Sequence, residues 1–160
     1  MPRTSGTPFP NCGESTPSMS NLVSYEEYLD QNGSMTYTNV GVSMLPLLRQ
    51  GKDLFTLEKK GDARCRVGDV VLYRRGDQYV LHRVVKVRDQ DYVILGDNCV
   101  RREFGISDDD IIGVMTGYVR NGREHSVSDP GYRLYSALWL RTEKPRVFLK
   151  RARGWLRRHL

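Results

Sequence analysis

Short runs of β-branched and aromatic residues, separated by turn residues, dominate the middle of this 160-residue chain. The runs occupy residues 36–42, 53–59, 69–75, 78–88, 91–96 and 110–119. Gly76-Asp77 stands between two of them and predicts a tight hairpin. Because no helical pattern alternates with these runs, the sequence predicts a mainly β, antiparallel domain over about residues 36–128.

The two ends of the chain differ from the middle in composition and in predicted secondary structure. Residues 1–20 are rich in Pro, Ser and Thr without apolar periodicity, which predicts a disordered leader. Residues 21–31 predict a short helix that Asn32-Gly33 would end, so the β domain with its N-terminal helix covers residues 21–128. Residues 129–160 predict a basic helical tail, in which Pro145 begins the second helix.

The positive charge is concentrated in this tail. Residues 141–160 hold eight Lys or Arg and one Glu, whereas the other 140 residues hold 17 basic and 18 acidic side chains. A nucleic-acid-binding domain needs a basic face on its body, so no nucleic-acid partner is expected. Phe148, Trp155 and Leu156 recur among the basic residues at helical spacing. Either the tail is a solvated helix packed on the domain, or residues 145–160 contact an anionic membrane surface.

The sequence lacks several patterns that would indicate a compartment or a cofactor. No stretch has the roughly 18 consecutive apolar residues of a membrane span, and no secretory signal is visible. The cysteines, Cys12, Cys65 and Cys99, have no paired spacing, which disfavours a disulfide scaffold and a zinc site. The sequence therefore predicts a cytoplasmic protein, peripheral at the inner face of a membrane if the tail binds lipid, with no metal or organic cofactor.

Three groups of motifs suggest a chemistry when they are taken together. They are Gly-Val-Ser-Met-Leu-Pro at 41–46, Gly-Asp-Val-Val at 68–71 with Leu-His-Arg-Val-Val at 81–85, and Gly-Asp-Asn at 96–98 followed by Gly-Val at 113–114. In this order they resemble the type I signal peptidase superfamily, and specifically its histidine, endoplasmic-reticulum-type branch. The resemblance implies the β fold of these peptidases, Ser43 as the nucleophile and His82 as the general base.

The residue types agree with this assignment. A serine hydroxyl needs a base to take its proton, and histidine does so near neutral pH. Lys86 is the only lysine on the strand face of His82 and lies about 13 Å further along, too far for both to reach one serine. Taken alone, Ser43 is typical of a turn and His82 of a hydrogen-bonded core histidine, so the assignment depends on the combined motifs.

The remaining site residues are less determined. The resemblance implies an acid six positions after Asp97, which is Glu103, although relatives usually have aspartate there. Asp97 is the alternative partner of His82, and otherwise would hold the backbone of its own turn. The Ser43 N–H is the expected oxyanion donor. Gly41 and Met44 border the expected oxyanion and substrate site, but Gly41 lacks the hydroxyl that many relatives have there.

The sequence thus predicts a serine endopeptidase that cleaves a signal- or leader-like peptide after small residues, with the extended substrate added beside a strand. The alternative is a non-catalytic, peptidase-like module that binds peptides or regulates a partner.

Overall fold

The structure is a computed structural model that describes residues 24–159. It confirms the mainly β, antiparallel fold, with one short N-terminal helix and two C-terminal helices. The predicted leader, residues 1–20, lies outside the described residues. The helices are α1 (Tyr25–Asn32), α2 (Pro130–Arg141) and α3 (Glu143–His159). The strands are β1 (Ser34–Thr38), β2 (Leu54–Lys59), β3 (Val70–Arg75), β4 (Gln78–Val87), β5 (Tyr92–Leu95), β6 (Glu103–Ile106), β7 (Ile111–Arg120) and β8 (Arg123–Ser126).

The strands form one sheet in the order β1-β2-β7-β3-β4-β5-β6, and β8 pairs with β7. The predicted hairpin joins β3 to β4 through Gly76-Asp77, with Arg75 opposite Gln78. Gly76 has a φ of 59°, a backbone conformation that this turn requires and that glycine adopts without strain. The register that the turn sets places Val71 opposite His82, and this pairing positions the candidate site.

Helix α1 ends at the predicted Asn32-Gly33 stop, but it begins at Tyr25, later than the predicted start at residue 21. Ser24 and Glu27 form a capping box at its start, and Gly33 ends it in the left-handed conformation. Tyr25 and Leu29 are 3% and 1% exposed and join the main apolar cluster of the sheet. Burial of this face fixes the helix to the domain.

Two local predictions were wrong, and two short strands were missed. The run 36–42 was predicted to be a strand throughout, but β1 ends at Thr38, because the buried Asn39 side chain donates to the carbonyls of Gly41 and Leu48 and turns the chain away. Helix α3 begins at Glu143, so Pro145 lies inside its first turn, where the missing N–H costs no hydrogen bond. The short strands β6 and β8 were not predicted.

The C-terminal helices pack on the domain through polar contacts as well as apolar ones. Tyr132 and Ser136 of α2 are buried, and both accept hydrogen bonds from Arg83 of β4. Among the residues described, no helix is long and apolar enough to cross a membrane.

Candidate active site

The predicted nucleophile, Ser43, lies on an irregular loop that follows β1. The loop leads from Gly41, whose φ is 87°, to the cis peptide bond between Leu45 and Pro46. Met44 and Leu48 are buried in the main apolar cluster and anchor the loop, while Ser43 is half-buried. The chain is thereby fixed on the C-terminal side of Ser43, beginning at the next residue.

A single turn links Ser43 to His82. The Asn98 N–H donates to the Ser43 carbonyl at 2.7 Å, and the Asn98 amide donates to the Val42 carbonyl at 3.0 Å. At the start of the same turn, Gly96 lies directly against the imidazole, where a Cβ atom would come within 2.9 Å of His82 Nε2. The Nε2 edge of His82 therefore faces the turn that binds the Ser43 backbone.

The opposite edge of the imidazole meets an acid and a phenol. His82 Nδ1 lies 3.4 Å from Glu103 Oε1 and 3.3 Å from the Tyr73 hydroxyl. His82 itself is 0% exposed, whereas the Glu103 side chain keeps 17% of its surface exposed. The structure thus brings Glu103, at the start of β6, to the nitrogen of the ring that does not face the Ser43 turn.

Electrostatics hold Glu103 in its ionised form. Burial raises the pKa of Glu103, but hydrogen bonds with His82 and Tyr73 and the charges of His82 and Arg75 outweigh burial, so the pKa is below its ordinary value. The Arg75 guanidinium donates to the same Oε1 at 3.0 Å. Burial and the neighbouring Glu103 raise the pKa of Tyr73 far above the physiological range, which keeps its hydroxyl protonated.

Asp97, the alternative acid, lies away from the imidazole. Both of its carboxylate oxygens accept from Arg83, at 2.7 and 2.8 Å, and one of them also accepts from the Tyr135 hydroxyl at 2.8 Å. The expectation that its carboxylate holds its own turn was therefore wrong, because the side chain binds β4 and α2. The turn is held by its backbone carbonyls, and that of Asp97 accepts from Trp139 and Arg146.

The predicted oxyanion region is only partly formed by side chains. Gly41 is buried and brings no hydroxyl. Met44 is 1% exposed, so its side chain anchors the loop and only its backbone remains for substrate contact. Within residues 24–159 the Ser43 N–H donates to no protein acceptor, which leaves it available to a developing oxyanion.

The site differs from a fully assembled catalytic triad at the Nε2 edge of His82. No hydrogen bond joins the Ser43 hydroxyl to His82 in the described part of the chain; the polar atom recorded near Nε2 is Cys99 Sγ, at 4.0 Å. Cys99 is also disulfide-bonded, which the cysteine spacing did not predict. Cys65 is a free, buried cysteine, and burial raises the pKa of its thiol to about 11, so it is not an activated nucleophile.

Sequence reasoning missed two residues of the site, Tyr73 and Arg75 on β3. Both contact the His82–Glu103 pair, and Tyr73 stands opposite Val80, two positions from His82 along the hairpin. Cross-strand diagonal neighbours on one face interact, so counting back from the Gly76-Asp77 turn gives the signal that could have found Tyr73. The described residues contain no group of three metal-ligating side chains.

Comparison with known proteins does not extend this picture. No protein family matches the sequence, and no curated protein matches it either.

Proposed function

We propose that this chain is a serine peptidase in which Ser43 is the nucleophile, His82 the general base and Glu103 the residue that orients the base. The observation that carries the proposal is the position of the His82 ring. Its Nδ1 lies 3.4 Å from Glu103, while its Nε2 edge packs on the turn that binds the Ser43 backbone. A base held between an acid and a nucleophile is the arrangement that acyl transfer requires.

The proposed reaction has two halves. Ser43 Oγ attacks the scissile carbonyl as His82 takes its proton, the Ser43 N–H donates to the oxyanion, and His82 then protonates the leaving amine. Water hydrolyses the acyl-enzyme with His82 again as the base. Glu103 stabilises the charged imidazole, and the Arg75 and Tyr73 hydrogen bonds keep its carboxylate ionised and in place.

The substrate proposed is an extended, signal- or leader-like peptide that is cleaved after a small residue. Strand β1 supports this substrate, because within the described residues it pairs with β2 alone and leads directly into the loop that carries Ser43. A peptide added along the outer edge of β1 would run toward the nucleophile.

In this proposal, the hydrogen bond between Ser43 and His82 forms when the substrate binds. Catalytic hydrogen bonds in unliganded enzymes are commonly long and tighten only in the substrate complex. The Ser43 hydroxyl has no competing protein partner among the described residues that would have to be broken first.

Labelling with a fluorophosphonate probe tests the proposal without knowledge of the substrate. The intact chain should gain one probe adduct by mass, and the adduct should be absent from Ser43→Ala. Ser34→Ala is the matched control, since Ser34 also precedes a methionine but lies exposed on β1, and it should label like the wild type. Equal labelling of Ser43→Ala and the wild type would reject Ser43 as the nucleophile.

A non-catalytic peptide-binding module is the second candidate. The observations that favour it are the complete burial of His82 and the absent hydrogen bond between Ser43 and His82. A folded chain that is not labelled by the fluorophosphonate, but that binds extended peptides containing small residues, would support this module over the peptidase.

A further inference from the structure

Helix α3 has three distinct sides along its 17 residues. At about 100° of rotation per residue, the apolar side chains cover an arc of about 120°. This apolar arc is defined by Phe148, Leu149, Trp155 and Leu156. The four side chains are 70%, 58%, 54% and 49% exposed, so the arc is open along the whole helix.

The side of α3 opposite the apolar arc attaches the helix to the domain. Glu143 and Gly154 are buried there. Arg146 Nη1 donates to the Asp97 carbonyl at 3.1 Å, and Lys150 Nζ donates to the Asn98 carbonyl at 2.7 Å. Because these contacts fix the rotation of the helix, the apolar arc points away from the domain and cannot be covered by the sheet.

Basic side chains border the apolar arc on both edges. Lys144 and Arg158 follow one edge, Arg153 and Arg157 follow the other, and all four are exposed. Arg151 lies on the first edge too, but its guanidinium donates to the Val100 carbonyl at 3.1 Å and so contacts the domain. The only acidic residue of α3, Glu143, is buried and accepts from Arg102. The exposed surface of α3 is therefore cationic on both sides of an apolar centre that includes two aromatic rings.

We propose that α3 lies in the plane of an anionic phospholipid surface, with the apolar arc inserted among the acyl chains and the flanking arginines and lysines on the phosphate groups. Amphipathic helices with this order of charge, apolar arc and charge bind at the boundary between headgroups and acyl chains. A nucleic-acid backbone would use the cations but would leave four large apolar side chains in water. The inference does not depend on the proposed peptidase activity.

The test uses the full chain and vesicles of two compositions. The protein should co-sediment with vesicles that contain phosphatidylglycerol and phosphatidylcholine, and about tenfold or more weakly with phosphatidylcholine alone. The emission of Trp155 should shift to shorter wavelength on binding, and the shift should disappear in Trp155→Phe, which keeps an apolar ring. Ser43→Ala should sediment like the wild type, so a failure of the peptidase proposal leaves this measurement intact.

Two double variants separate the apolar and charged contributions. Phe148→Ser/Leu156→Ser removes apolar contacts, and Arg153→Gln/Arg157→Gln removes two exposed charges; each should weaken binding about tenfold or more. Phe104→Ser is the matched apolar control, because Phe104 is 61% exposed on β6. Arg123→Gln/Arg133→Gln is the matched charge control, because both arginines are exposed outside α3.

Several outcomes would overturn the inference. Equal sedimentation with both vesicle compositions would remove the role of the charges. Binding without any shift in Trp155 emission, or binding unchanged in the Phe148→Ser/Leu156→Ser variant, would show that the apolar arc does not insert. Binding to single-stranded RNA in place of vesicles would assign the basic edges to a nucleic acid.

Discussion

Two adjacent residues of β4, His82 and Arg83, each meet a carboxylate, and the two pairs differ in almost every physical respect. Successive side chains of a strand point to opposite faces, so the pairs lie on different sides of the sheet. The side chains of Arg83 and Asp97 are each 1% exposed and share two hydrogen bonds of 2.7 and 2.8 Å. His82 and Glu103 share one contact of 3.4 Å, and Glu103 also accepts a hydrogen bond from the Arg75 guanidinium.

The difference separates a structural pair from the pair for which we propose a catalytic role. The Arg83 guanidinium cannot lose its proton, and its remaining donors reach Gly68, Tyr132 and Ser136, so the pair fastens the turn and α2 to the sheet. The imidazole can gain and lose a proton, and its Nε2 has no hydrogen-bonded oxygen in the described residues. An imidazole nitrogen that is not saturated by protein oxygens is the reason for proposing the catalytic role for the His82 pair and not for the Arg83 pair.

Glu103→Gln should have the largest effect on the proposed reaction. The amide cannot stabilise a charged imidazole and can favour the wrong tautomer, so the rate of fluorophosphonate labelling at Ser43 should fall by about a hundredfold or more. Glu124→Gln, at an exposed carboxylate on β8, is the matched control and should keep the wild-type rate. An unchanged labelling rate in a folded Glu103→Gln protein would remove Glu103 from the catalytic machinery.

Arg83→Met should affect stability instead. The substitution leaves the buried Asp97 carboxylate without its bidentate partner, and breaking a buried pair on one side costs about 3–5 kcal/mol in the free energy of unfolding. Denaturant titration measures this loss. Arg88→Met is the matched control, because the Arg88–Asp91 pair is solvent-accessible, with 42% of the arginine side chain exposed, and its loss should leave the free energy of unfolding nearly unchanged. Similar losses in the two variants would contradict the structural role of Arg83.

The sequence predicts the neighbours of His82 better than the partners of Asp97. The hairpin turn at Gly76-Asp77 sets the register of β3 and β4, and with it the neighbours of His82, because a two-residue turn leaves only one alignment. The same register would have identified Tyr73 as a neighbour of His82. The choice of Glu103 over Asp97 came from the resemblance and agrees with the contact that the structure records, although its catalytic role stays a prediction.

The partners of Asp97 could not be predicted in the same way. Apart from Arg83 of β4, they come from α2 and α3, 38 residues and more along the chain, and no local pattern specifies which side chains a packed helix turns toward a given loop. The loop that carries Ser43 is equally non-local, because its contact with the Gly96–Cys99 turn joins residues more than 50 positions apart. Tertiary packing decides both arrangements, and propensity and periodicity carry no information about them.

Acid should have the smallest effect when wild type is compared with Glu103→Gln, because this difference contains only the contribution of Glu103 to the free energy of unfolding. The pKa of Glu103 is lowered in the fold, so as the pH falls the unfolded chain binds this proton first, and the stabilising contribution of Glu103 is lost. The contribution is complete above the ordinary carboxyl range of about 4.3 and decreases as the pH falls through the lower, folded value. The difference in unfolding free energy between wild type and Glu103→Gln should therefore shrink as the pH falls from above about 4.3 through the lower, folded value. Chemical denaturation at a series of pH values measures it, and parallel pH profiles for the two proteins would show that the carboxylate is not held ionised by its neighbours.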